Sequence, residues 1–132
     1  MRGKHRGAAV ARAVVRVAFW TEAGLGVTFW TGHAGDLAPL HVAVGLALAG
    51  GLEALAVLAA SAPGGSWLVF LAVCWGILTP AFGLLHDHLL TSGGHWLVQV
   101  AHLLAGVAAV VLAEALAARL LAPSGAHRPF GR

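Results

Sequence analysis

The chain has 132 residues, of which 59% are hydrophobic and only 10% are charged. A water-soluble domain of this size needs more polar surface, so the composition excludes an ordinary soluble protein and predicts an integral membrane protein. The net charge is +3, and the basic residues flank the apolar stretches. They therefore indicate topology and contact with anionic lipid, and no nucleic-acid partner is expected.

Four apolar stretches have about the 20 residues that a helix needs to cross a bilayer. They occupy residues 10–30, 38–60, 67–89 and 95–121. The connections between them are short and polar or flexible. The expected fold is therefore all-α: a single transmembrane domain over 1–132, built as an up-down four-helix bundle.

Basic residues set the orientation. Neither the loop after the first span nor the loop after the third contains a lysine or arginine. All eight lie in or near the two tails: Arg2, Lys4, Arg6, Arg12, Arg16, Arg119, Arg128 and Arg132. The positive-inside rule therefore predicts a multi-pass protein of the cell membrane with both termini in the cytoplasm. The start does not resemble a cleaved signal peptide, since the first apolar stretch is span-length.

The first span carries an acid, Glu22, and an ionisable group within a span marks a functional site by default. Glu22 is a candidate to line a ligand pocket and, with Glu53 and Glu114 of later spans, to form a proton path; the latter two are also candidates for contact with a quinone. The alternative for the latter two is proximity to the cytoplasmic headgroups, or a hydrogen bond from the protonated acid. Trp20 and Trp75 lie away from the interfacial belt, so each packs either on a cofactor or on a neighbouring helix.

The second and fourth spans share the pattern H-x3-G-x7-E, which begins at His41 and His102. The pattern predicts a duplicated helix pair, with one imidazole on each of two diagonal helices. Gly45 and Gly106 lie one turn deeper on the same faces and leave room for a flat ligand. We expect His41 and His102 to bind the iron of haem b; another metal or ligand, or a structural hydrogen bond, are the alternatives.

The depths of the two histidines do not match exactly. His41 lies about five residues beyond an expected helix cap at Asp36, and His102 about ten beyond Ser92, which is a mismatch of about 7 Å. Tilt or an irregular first turn around Pro39 would absorb it. The cytoplasmic half of the membrane has no histidine, so a second bis-histidine haem is excluded.

Further histidines lie near the outer ends of the third and fourth spans. His86 and His88, with Asp87 between them, are a possible second site for zinc or copper, because imidazole and carboxylate suit these ions. His95 is a candidate contact of the cofactor. A haem at this end needs hydrogen-bond donors for its propionates. The candidate donors are His33, His88, Thr91, Ser92 and His95. The alternative is that His88 and His95 are solvated loop residues.

This arrangement resembles one half of haem A synthase and, more broadly, small membrane b-type cytochromes. The resemblance covers the four-helix body and rests on His41, Gly45, His102 and Gly106. It implies that the two histidines are axial haem ligands. The family's glutamate three residues before the second-helix histidine is Ala38 here, and the outer loop lacks the family's cysteine pair. The resemblance therefore implies haem binding more strongly than hydroxylating activity.

The leading functional hypothesis is a haem b protein that carries electrons near the outer face. It would work with quinol, with a larger respiratory complex, or with another copy of itself. The alternatives are a small transporter or sensor that handles protons or a metal, and a structural membrane subunit without chemistry.

Overall fold

The computed structural model describes residues 2–32, 35–61, 66–90 and 93–122. Within these ranges the chain forms four α-helices and no strand, so the all-α prediction is confirmed. The helices are α1 (Arg2–Trp30), α2 (Ala38–Ala60), α3 (Ser66–Leu85) and α4 (His95–Leu121). His33, Thr91, Ser92, His127, Arg128 and Arg132 lie outside the described residues.

The bounds of α2 and α4 match the predicted ones, whereas α1 and α3 differ. α1 begins at Arg2 instead of residue 10, so the basic tail is helical. α3 ends at Leu85, four residues before the predicted end, because the next three residues turn into a 3-10 helix. There, Nδ1 of His86 donates to the carbonyl of Gly83 at 2.5 Å and satisfies a carbonyl that the helix end leaves free.

The expected cap at Asp36 is wrong. Leu37 occupies the cap position of α2 and no side chain caps the helix. Asp36 instead belongs to a short 3-10 turn, Gly35–Leu37. Pro39 lies in the first turn of α2, where its missing N–H costs nothing because that turn has no intrahelical acceptor for it.

Three of the described helices are long and apolar enough to cross a membrane: α2, α3 and α4. The protein therefore associates with a membrane. α1 is not among them, although it was predicted to span. Its apolar stretch is interrupted by Arg12, Arg16 and Glu22, which lower its hydropathy.

The tightly packed core occupies one end of the molecule. Its largest fully buried side chains are Val15, Leu52, Leu55 and Leu116, surrounded by small alanines from all four helices. α2 and α4 each contact both other helices and also each other, so they form the short diagonal. At the opposite end the packing opens, and His41, His86, His95 and His102 lie there.

Candidate functional site

A cavity of about 210 Å³ lies between the four helices at the end remote from the core. Each helix contributes one glycine to its wall, which removes four side chains from the space: Gly26, Gly45, Gly83 and Gly106. Most of the wall is apolar. The ionisable side chains that line it are Glu22, His41, His86 and His102.

His41 and His102 face each other in this cavity. Their ring centroids are 6.1 Å apart and their planes are inclined by 61°. His41 is the fourth residue of α2 and His102 the eighth of α4, so their Cα atoms differ in depth. The side chains nevertheless bring the two rings together, so the expected mismatch of depth does not keep them apart.

Glu22 of α1 lies against His41. Its Oε2 is 2.7 Å from His41 Nδ1, and the two side chains are only 15% and 21% exposed. The distance is that of an ion pair, but the N–H direction departs from that of a hydrogen bond, and Nδ1 has no hydrogen-bond partner. The position three residues before His41 is Ala38, which carries no acid. The carboxylate beside His41 comes instead from another helix, α1. Phe29 packs edge-on against the same imidazole at 5.2 Å.

His102 is held by rings and not by a carboxylate. It stacks on His86, with centroids 5.3 Å apart and planes within 11°, and lies 5.8 Å from Phe82. Its Nδ1 is buried without a hydrogen-bond partner. A Cβ on Gly83 would come within 2.9 Å of His102 Cε1, so the ring fits only because residue 83 is glycine.

His86 connects the outer rim to the cavity, a role that the sequence did not indicate. His95 stacks on it at 6.1 Å, and His102 lies 5.3 Å away on the cavity side. His95 and His102 are two helical turns apart on α4, and the turn that ends α3 places His86 between them. His95 does not line the cavity; its Nδ1 lies 3.1 Å from the Leu89 carbonyl.

The second metal site proposed at His86 and His88 gains no support. His88 is exposed, and the side chain of Asp87 lies outside the described residues. Among the described residues no group of three or more histidine, cysteine, aspartate or glutamate side chains is placed to hold a metal ion.

The two tryptophans predicted as cofactor contacts do not line the cavity. Trp20 is 72% exposed on the outer surface of the helices, because its position on α1 points away from α2 and α4. Trp75 packs between helices: its Nε1 donates to the carbonyl of Ala105 at 2.9 Å and links α3 to α4. Trp75 therefore packs on a neighbouring helix, which was the alternative to a cofactor contact.

The other two glutamates lie away from the cavity and differ from each other. Glu114 accepts from Arg12 Nε at 2.9 Å and from Arg16 Nε at 2.6 Å, so it joins α4 to α1. Glu53 lies against Gly76 of α3, where there is no room for a Cβ, and its Oε1 is buried without a partner. Neither acid is connected to the histidines by a described contact.

The contacts follow the sequence repeat. The two histidines are 61 residues apart, and so are Glu53 and Glu114. Glu22, which contacts His41, and Gly83, which contacts His102, have the same separation. In each half of the chain, a residue of the first helix lies against the histidine of the second helix.

No family model, curated protein or solved structure matches the chain. The function is accordingly inferred from the geometry of the cavity.

Proposed function

We propose that the protein is a membrane haem b protein in which His41 and His102 are the axial ligands. The observation that carries the proposal is the 6.1 Å separation of the two imidazole centroids across a cavity shared by all four helices. Two metal–nitrogen bonds of about 2 Å, plus about 1 Å from nitrogen to ring centre at each end, require about 6 Å. The donor spacing therefore fits an iron between the rings.

The donor set and the walls also suit a porphyrin. Axial ligation needs two protein donors, because the macrocycle supplies the other four, so a group of three ligating side chains is not required. The cavity is smaller than the roughly 300–1,000 Å³ of typical ligand sites. Binding therefore requires the apolar side chains that line the cavity to move aside while the two imidazoles keep their spacing; there is open space beside Gly26 and Gly106, where an added Cβ would meet no atom within 4 Å.

The proposed setting is a multi-pass protein of the cell membrane, with four spans in an up-down bundle and both termini in the cytoplasm. The basic residues of α1 and Arg119 of α4 support this orientation. The cavity then lies near the outer face. A bound haem would supply one-electron chemistry there, and the protein would supply two imidazoles and a dry, apolar wall that set its potential. Quinol, a respiratory complex or a second copy would exchange the electron.

Optical spectra of purified protein test the proposal. We expect a sharp Soret and α-band in the reduced-minus-oxidised difference spectrum. His41→Ala and His102→Ala should each abolish this six-coordinate spectrum, because each removes an axial nitrogen. His5→Ala, at the opposite end of α1, is the matched control and should leave it unchanged. Full retention of the spectrum by both cavity variants would refute the assignment.

A second candidate function, proton handling, is favoured by the row of side chains from the rim to α1. His95, His86, His102 and His41 follow one another at ring separations of 5.3–6.1 Å, and the row ends at Glu22. Such a row suits proton movement through imidazoles and bridging water. In that case the purified protein would be colourless, and Glu22→Gln would slow pH-driven flux in liposomes.

A further inference from the structure

The two cavity histidines differ in the groups that lie beside their Nδ1 atoms. His41 Nδ1 lies 2.7 Å from the Glu22 carboxylate. His102 Nδ1 is also buried, but no carboxylate among the described residues lies beside it; neither Nδ1 has a hydrogen-bond partner. One sequence pattern thus places two imidazoles in unequal surroundings.

The inequality lies in the neighbours of the two rings. Glu22 of α1 lies against His41, whereas Gly83 of α3 lies against His102. A side chain at residue 83 would have to displace the His102 ring, because even a Cβ would lie 2.9 Å from Cε1. At residue 45 an added Cβ would make an ordinary van der Waals contact, 3.7 Å from Oε2 of Glu22. The described structure therefore has a carboxylate beside His41 and a glycine beside His102.

We propose that Glu22 is a positioning residue that fixes His41 as the firmly held donor of the pair and leaves His102 as the exchangeable one. A carboxylate beside Nδ1 favours the tautomer with the proton on Nδ1, which leaves the lone pair on Nε2 and raises its basicity. The His102 ring instead packs on Phe82, His86 and Gly83, none of which is a carboxylate.

The identity of the bound group rests on the proposed function, whereas the tautomer of His41 does not. If His102 exchanges, its side of the cavity is a binding site for a small neutral ligand. Carbon monoxide is the appropriate probe, because it binds reduced haem iron without needing a charged or hydrogen-bonding wall.

Nitrogen NMR of protein labelled at histidine and prepared without haem tests the role of Glu22 directly. We expect His41 to populate the Nδ1–H tautomer almost exclusively. Glu22→Leu, which removes the acceptor but keeps the volume, should produce both tautomers, and Glu22→Gln should restore the first, because its amide oxygen also accepts. The His102 signal should not change, nor should Glu53→Leu affect either ring. A His41 signal that is insensitive to Glu22→Leu would overturn the proposal.

Haem affinity supplies the second test. Glu22→Leu should weaken it by about 10- to 100-fold in the wild type and in His102→Ala, the usual cost of removing the partner of a metal-bound imidazole. In His41→Ala the same change should have less than about a two-fold effect. Equal losses in both backgrounds would contradict a specific link to His41.

Carbon monoxide difference spectra complete the comparison. His102→Ala should retain more haem than His41→Ala and should bind carbon monoxide more fully than the wild type. The reverse order of haem retention would show that His102 is the firmly held donor. Wild-type protein that takes up no haem would refute the proposed function, and the NMR result would still decide the role of Glu22.

Discussion

The ring of His102 lies over Gly83 of α3, with no Cβ between the ring and the helix. The sequence offered no reason to connect these residues, which are on different helices. The distance from Cε1 to an added Cβ would be 2.9 Å, so a methyl group at residue 83 must displace the ring. This contact makes the position of His102 sensitive to a single carbon atom.

We therefore expect Gly83→Ala to disturb the cavity. Turning the imidazole by roughly 30° from its preferred rotamer costs about 1 kcal/mol, which corresponds to about a five-fold loss of haem affinity. Gly24→Ala is the matched control, because nothing lies within 4 Å of its added Cβ. Haem titration of the two purified variants measures the effect, and equal affinities would show that the ring moves freely.

Among the elements, α1 and α2 form the most extensive helix pair in the described structure. Gly51 of α2 faces Val15, which is fully buried, and the backbone of Ala11. An added Cβ would lie 2.7 Å from a Val15 methyl carbon and 3.3 Å from the Ala11 carbonyl oxygen. Small residues at such crossings allow helices to approach closely in a membrane.

Gly51→Ala should destabilise this pair by about 1–3 kcal/mol, the usual cost of overpacking a well-packed interface. Gly50→Ala, one residue away, meets no atom within 4 Å and should be neutral, or stabilise the helix by up to about 1 kcal/mol through its backbone. Thermal unfolding in detergent distinguishes them. A similar Tm for both variants would mean that the contact between α1 and α2 accommodates the added methyl group without loss of stability.

At the scale of the whole molecule, ion pairs join α1 to α4. Arg12 and Arg16 interrupt the apolar surface of α1, and both donate to Glu114. A charge in a span is costly unless it is paired. The pairing explains how a helix that lacks the hydropathy of its neighbours packs beside them.

Glu114→Gln should therefore lower the amount of membrane-integrated protein several-fold, the effect of about 1–2 kcal/mol on abundance. Glu53→Gln is the matched control, since it changes the corresponding acid of the repeat, which has no cation beside it among the residues that the structure describes. Reporter fusions at each terminus measure both amount and orientation. Equal effects of the two substitutions would contradict a specific role for the Arg12–Glu114–Arg16 contact.

The length of the continuous apolar stretches was enough to predict four helices and the bounds of α2 and α4, because a span-length apolar segment has one favourable conformation in lipid. The pattern H-x3-G-x7-E also singled out the pair His41 and His102. These predictions depend on residue type and on spacing within one helix, and both can be read from the sequence.

Only the tertiary structure decided which side chains meet across helices. It placed Glu22 beside His41, joined Glu114 to two arginines, and turned Trp20 to the outer surface. It also inserted His86 between His95 and His102, because α3 ends one turn earlier than its hydropathy indicates. Helix rotation and the exact helix ends determine these contacts, and both are set by packing between helices and not by the sequence of any one of them.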